Sequence, residues 1–120
     1  MKTTVGKVAE TVNVIAAIGE DKAFSAAIRT RIALKSEELE RITKTFWEKR
    51  NDAIQSKLPE GELSVDINTD AGKRLVEEIQ EISDVEVEID LEPFSQKDFE
   101  VEHTLTASAL RTLMRNGFMK

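Results

Sequence analysis

The segment Asp66-Ile67-Asn68-Thr69-Asp70-Ala71-Gly72, followed by Glu77, places oxygen-bearing side chains where a calcium loop carries them. Such a loop takes ligands from positions 1, 3, 5 and 12 and turns sharply at a glycine in position 6. Here position 6 is Ala71, Gly72 stands one place late, and the residues before the loop read as a strand rather than a helix. A strand end followed by a helix cap at Asn68 or Thr69 explains the same residues in full. His103 is the one imidazole, set between Glu102 and Thr104. Acid–base catalysis needs a partnered base beside a pocket, and a chain without cysteine or tyrosine has little else to offer; an edge-strand histidine accounts for the position. A carboxylate pair such as Glu86 and Glu88 could serve glycosidic chemistry. Acids are too abundant here for such a pair to be specific, and sugar-stacking aromatics are few. Walker, Rossmann and nucleophile-elbow patterns are absent. The chain reads as a non-enzyme, with no catalytic residue, no metal site and no cofactor.

The elements that would position these residues belong to one domain, 1–120, long enough to bury a core without staples. With 40% hydrophobic and 33% charged residues and no cysteine, it reads as globular and intracellular. Its longest apolar run near the N-terminus, Val14–Ile18, is too short for a leader or a membrane span. A net charge of −6 argues against direct binding to nucleic acid or an anionic membrane.

Val5, Val8, Ala9, Val12, Ile15 and Ala16 share about 120° of arc, which predicts a helix closed by Gly19. Asp21 is suited to cap a second helix. Neither Gly nor Pro occurs from Lys22 to Leu58, so that helix could run 37 residues, roughly 55 Å. Its apolar seam is Phe24, Ile28, Ile32, Leu39, Ile42, Phe46 and Ala53, with Trp47 beside it as core or interface anchor. Ile32, Leu39, Phe46 and Ala53 recur every seven residues, as in a coiled coil. A rod of that length outreaches both the first helix and a globule of this size. Either it kinks or a second chain covers part of the seam, and self-association is the expectation taken forward.

Residues 59–120 read as a small α+β part beyond this helical hairpin. Pro59-Glu60-Gly61 stops the long helix, and Leu63, Val65 and Ile67 alternate as a short strand. A helix of about 13 residues follows, bearing Leu75, Val76, Ile79 and Ile82. Val85-Glu86-Val87-Glu88-Ile89-Asp90-Leu91 is a half-buried strand by strict alternation. Phe99, Val101, His103 and Leu105 alternate again, and Thr106 caps a last helix closed by Asn116-Gly117. The fold class is α+β: a long helical hairpin with a small antiparallel sheet and short C-terminal helices.

Charge is divided along the chain. Residues 1–58 carry 11 Lys/Arg against 8 Asp/Glu, whereas residues 75–102 carry Lys97 alone against 11 acids. Glu86, Glu88 and Asp90 must share one strand face. Pairing with the 99–105 segment would add Glu100 and Glu102. Like charges across strands are destabilising, so beyond solubility and edge protection this face suits a basic patch on a partner. The partner could be a second copy, through Arg29, Arg31, Arg41, Lys44, Lys49 and Arg50, or a nucleic-acid-binding protein whose phosphate site the acids imitate.

Phe46-Trp47-Glu48-Lys49-Arg50, Pro59-Glu60-Gly61, Glu86-Val87-Glu88-Ile89-Asp90 and Leu105–Met114 occur in an order that resembles a family of small uncharacterised bacteriophage proteins. The Pro93-Phe94 turn and the tail Phe118-Met119-Lys120 depart from that pattern. The resemblance implies a phage or prophage origin and an accessory role in virion assembly or host takeover, in the host cytoplasm or with the virion. It carries no catalytic residues. The expected function is therefore protein–protein contact, through the seam and the acidic face. The alternative is an anti-defence inhibitor, either an acidic nucleic-acid mimic or an oligomer that sequesters a nucleotide signal with Arg29/Arg31 or Arg111/Arg115.

Overall fold

The computed structural model describes residues 1–58, 60–62 and 64–120. A three-residue strand, β1 (Lys2–Thr4), runs directly into α1 (Val5–Glu20), capped by the Thr4 hydroxyl, which accepts from Lys7 N–H. α2 (Ala26–Lys57) is one unbroken helix of 32 residues, about 48 Å long. Its cap is Ser25, not Asp21, and the Ser25 hydroxyl accepts from Ile28 N–H at 3.2 Å. Asp21 instead stabilises the turn before it, accepting from Ala23 N–H at 2.9 Å. α3 (Asp70–Ser83), β2 (Glu86–Glu88), a 3-10 turn at Gln96–Phe99 and α4 (Ala107–Arg115) complete the chain. The fold is α+β, drawn out to 51 × 26 × 23 Å.

The long helix neither kinks nor leaves its seam open. α1 lies antiparallel along about its first two-thirds, with Gly19 against Ile32 and Gly6 near Phe46. α3 takes the C-terminal remainder, where Lys57 meets Glu78 at 3.5 Å and Leu75 is buried. The two shorter helices follow one another along the rod and meet where Gly6 abuts Ser83. Phe24, Ile28, Ile32, Leu39, Phe46 and Ala53 are all buried, and Ile42 is half-buried. Each large seam side chain so removed from water contributes about 1.5–3 kcal/mol. The chain's own α1 and α3 thus cover the stretch of seam for which the length of the rod alone suggests a second chain. Trp47, by contrast, remains 46% exposed.

The sheet is smaller than the alternation predicts. β2 pairs antiparallel with β1 in the register Lys2↔Glu88, Thr3↔Val87 and Thr4↔Glu86. Beyond the ladder the alternation still sorts side chains: Ile89 and Leu91 enter the core while Glu88 and Asp90 stay outside. Val85 breaks the pattern and is exposed. The 99–105 segment is not a strand. Its aromatic residues turn inward, with the Phe99 ring edge-on to Phe24 at 5.3 Å and His103 stacked on Phe24 at 5.6 Å. Burying aromatic area against Phe24 outweighs a third strand whose acids would oppose those of β2. Val65 and Ile67 also lie outside any strand, and Ile67 is exposed; Leu63 and Pro59 fall outside the described residues.

α4 is capped by Thr106 and closed by Gly117 at φ +79°, as its sequence predicts. Phe118 N–H bonds back to the Leu113 carbonyl at 2.9 Å, and both side chains are fully buried. The tail then joins Phe94: Phe94 N–H donates to Phe118 O and Lys120 N–H to Phe94 O, at 2.8 and 2.9 Å. This layer, together with Ile89, Leu91 and Phe94, packs on α1 and α2 and closes the core.

Candidate functional site

β2 sets the centre of the acidic surface. Glu86 and Glu88 project to the exposed side because successive strand residues alternate faces. Glu88 stands opposite Lys2 and within 3.6 Å of the N-terminal ammonium, while the Lys35 ammonium reaches Asp90 at 3.1 Å. Lys35 lies within the arc of the apolar seam, between Ile32 and Leu39, and its ammonium reaches out to an acid of this surface. The Asp90 side chain is nonetheless 93% exposed, so the pair is wet and contributes little to stability.

Glu81 in the last turn of α3, Asp84 at its C-cap and Glu86 follow closely in sequence. None has an ion-pair partner among the described residues, and α3 has no basic residue in its last turn. A helix C-terminus carries partial negative charge and favours cations. Acids are here gathered at the end that repels them. Glu100 and Glu102 are exposed too, but the loop that carries them does not pair with β2, so nothing in the ladder joins them to the other three acids.

The remaining candidates are occupied locally. In the 66–72 segment Asp66 Oδ1 accepts from Asn68 N–H at 2.9 Å, and Thr69 accepts from Gly72 N–H at 3.0 Å as the α3 cap. Among the described residues no group of three or more His, Asp or Glu side chains converges as metal ligands. His103 Nδ1 accepts from Leu105 N–H at 3.2 Å, its ring held by Phe24 and Phe99. Arg29 donates to the Phe24 carbonyl at 3.1 Å and Arg115 pairs with Glu10, so one arginine of each pair is engaged within the chain.

One cluster escaped the sequence reading. The Asp21 carboxylate accepts from Ala23 N–H through one oxygen and from both N–H and O–H of Thr104 through the other. The Ala23 and then the Thr104 backbone N–H hold its pKa below the ordinary 3.8. Only the first of these bonds is local; Thr104 lies 83 positions away, and no spacing rule links them. No family model matches the chain, and neither the curated proteins nor the solved structures contain a match. No helix among the described residues is long and apolar enough to cross a membrane.

Proposed function

We propose that this protein acts by contact with another protein, without chemistry of its own, and that Glu86, Glu88 and Asp90 are the centre of the contact. The observation that carries this reading is that Glu86 extends the uncompensated acids Glu81 and Asp84 at the negative end of α3, while Glu88 and Asp90, though each has one cation nearby, keep most of their side chains in water. Folding stability alone opposes that arrangement, and a basic surface on a partner would relieve it. Electrostatic contacts of this kind steer association and weaken as salt rises. Glu100 and Glu102, exposed on a loop that does not pair with β2, are left out of this centre. The resemblance of motif order to small phage proteins supports an accessory role in the infected cell, in virion assembly or in host takeover.

The test compares the wild type with E86Q/E88Q/D90N as baits in extracts of phage-infected cells. A partner held by the wild type at low salt, and lost both on neutralising the three acids and at high salt, is the expected result. Retention of every bound protein by both baits at both salt concentrations would count against the proposal.

A further inference from the structure

α2 carries a second stripe, roughly 80° round from the seam at 100° per residue. It consists of Ser36, Glu40, Thr43, Trp47, Arg50 and Ile54, at alternating spacings of four and three. Ser36 and Glu40 line the groove between α1 and α2, with Val12 and Ala16 on its far wall. Further along, Trp47 lines a cleft of about 280 Å³ with Gly6, Ala9 and Ser83. No residue of the 89–120 layer lines these grooves. On α3, Val76 follows the same side as Ser83, two turns away, and is 53% exposed.

This side is only partly covered in a single chain: Ser36, Thr43, Arg50 and Ile54 are half-buried, and Glu40 and Trp47 are exposed. Trp47 is half in water, with the Arg50 guanidinium 5.3 Å from its ring centre. Among the described residues neither Glu40 nor Arg50 has an ion-pair partner. The six residues are symmetric about Thr45, and their types are complementary across it. When two α2 helices pack antiparallel about a two-fold axis on the stripe side, level with Thr45, Glu40 faces the second copy's Arg50. Thr43 faces its Trp47, and Ser36 faces its Ile54. Each pairing joins acid with base or small with large. The small members cost nothing extra to cover, because Thr43 already donates to the Leu39 carbonyl at 2.8 Å and Ser36 to the Ala33 carbonyl at 3.1 Å. An isologous contact demands this self-complementarity of one patch.

We propose that a second copy of this chain docks antiparallel on the Ser36–Ile54 stripe, with two symmetric Glu40–Arg50 pairs and Trp47 as the buried anchor. The surface differs from the seam, which is internal, and the inference stands independently of the acidic contact. Sedimentation equilibrium of the wild type at high micromolar concentration should show a dimer that weakens with salt. E40R and R50E each set like charges opposite one another at both symmetric positions, and each should weaken the dimer by about tenfold or more. An equimolar mixture of the two variants should dimerise again, since each then supplies the charge the other lacks; misfolded chains could not produce that rescue. As the single tryptophan, Trp47 should shift its emission to the blue as wild-type concentration rises. A strictly monomeric wild type would overturn the proposal, as would a dimer indifferent to both charge reversals or a mixture that fails to reassociate.

Discussion

Asp21 and Thr104 are joined by two hydrogen bonds to one carboxylate oxygen, from the Thr104 N–H at 3.1 Å and its hydroxyl at 3.3 Å. The α1–α2 turn thereby holds the loop that lays Phe99 and His103 on Phe24. The charged form of Asp21 is the one these donors favour, and its folded pKa lies below 3.8. Its contribution is therefore present above the unfolded value and is lost as pH falls through the lower folded value. Asp21→Asn should lower the melting temperature at neutral pH, and the gap from wild type should close as pH drops well below 3.8. A gap that stays constant across an acid titration would contradict this.

Leu39 is 2% exposed in the middle of the seam. Leu39→Ala should cost about 2–5 kcal/mol in denaturant unfolding. The loss should be undiminished at low micromolar concentration, because α1 rather than a second chain covers the site. A loss that appears only at concentrations where the protein self-associates would show the seam to be shared between chains.

At Gly6 an added Cβ would fall 1.7 Å from Ser83 Oγ and 2.9 Å from its Cβ. α1 and α3 must separate to admit it. Gly6→Ala should destabilise by about 1–3 kcal/mol, the usual range for overpacking, despite alanine's better helix propensity. Gly6→Ala in the Ser83→Gly background should recover most of the loss, as read by thermal unfolding.

Thr3 is 7% exposed, and its hydroxyl has no hydrogen-bond partner among the described residues. A buried unsatisfied hydroxyl costs about 1–3 kcal/mol. Thr3→Val keeps the β-branched shape and removes that group, so it should raise stability by about 1 kcal/mol. A destabilised variant would show that the hydroxyl is satisfied in solution.

Local patterns led to most of the helical structure. The run without Gly or Pro marks the long helix, Thr106 and Gly117 bound α4, and the seven-residue spacing picks out a buried seam. Alternation from Glu86 to Leu91 assigns the outward acids and the inward Ile89 and Leu91 correctly. It could not name the strand that pairs with them. β1 is three residues long, and Lys2-Thr3-Thr4 has too little pattern to announce a strand. The 99–105 segment alternates just as β2 does, yet its aromatics gain more from Phe24 than its backbone would from a ladder.

Local pattern assigns the helices, the caps of α3 and α4 and the position of the acidic run, because these follow from hydrogen bonds and side-chain periodicity within a few residues. The expected closure at Gly19 and cap at Asp21 fail, since α1 runs to Glu20 and Ser25 caps α2. Tertiary structure alone decided what covers the long helix. A seam is defined by one helix, but its cover depends on where α1 and α3 lie, and their junction rests on Gly6 passing close to Ser83. The same packing decides which apolar and charged side chains remain outside. It buries Phe46 and leaves its neighbour Trp47 half in water, beside Arg50, at the margin of the covered seam.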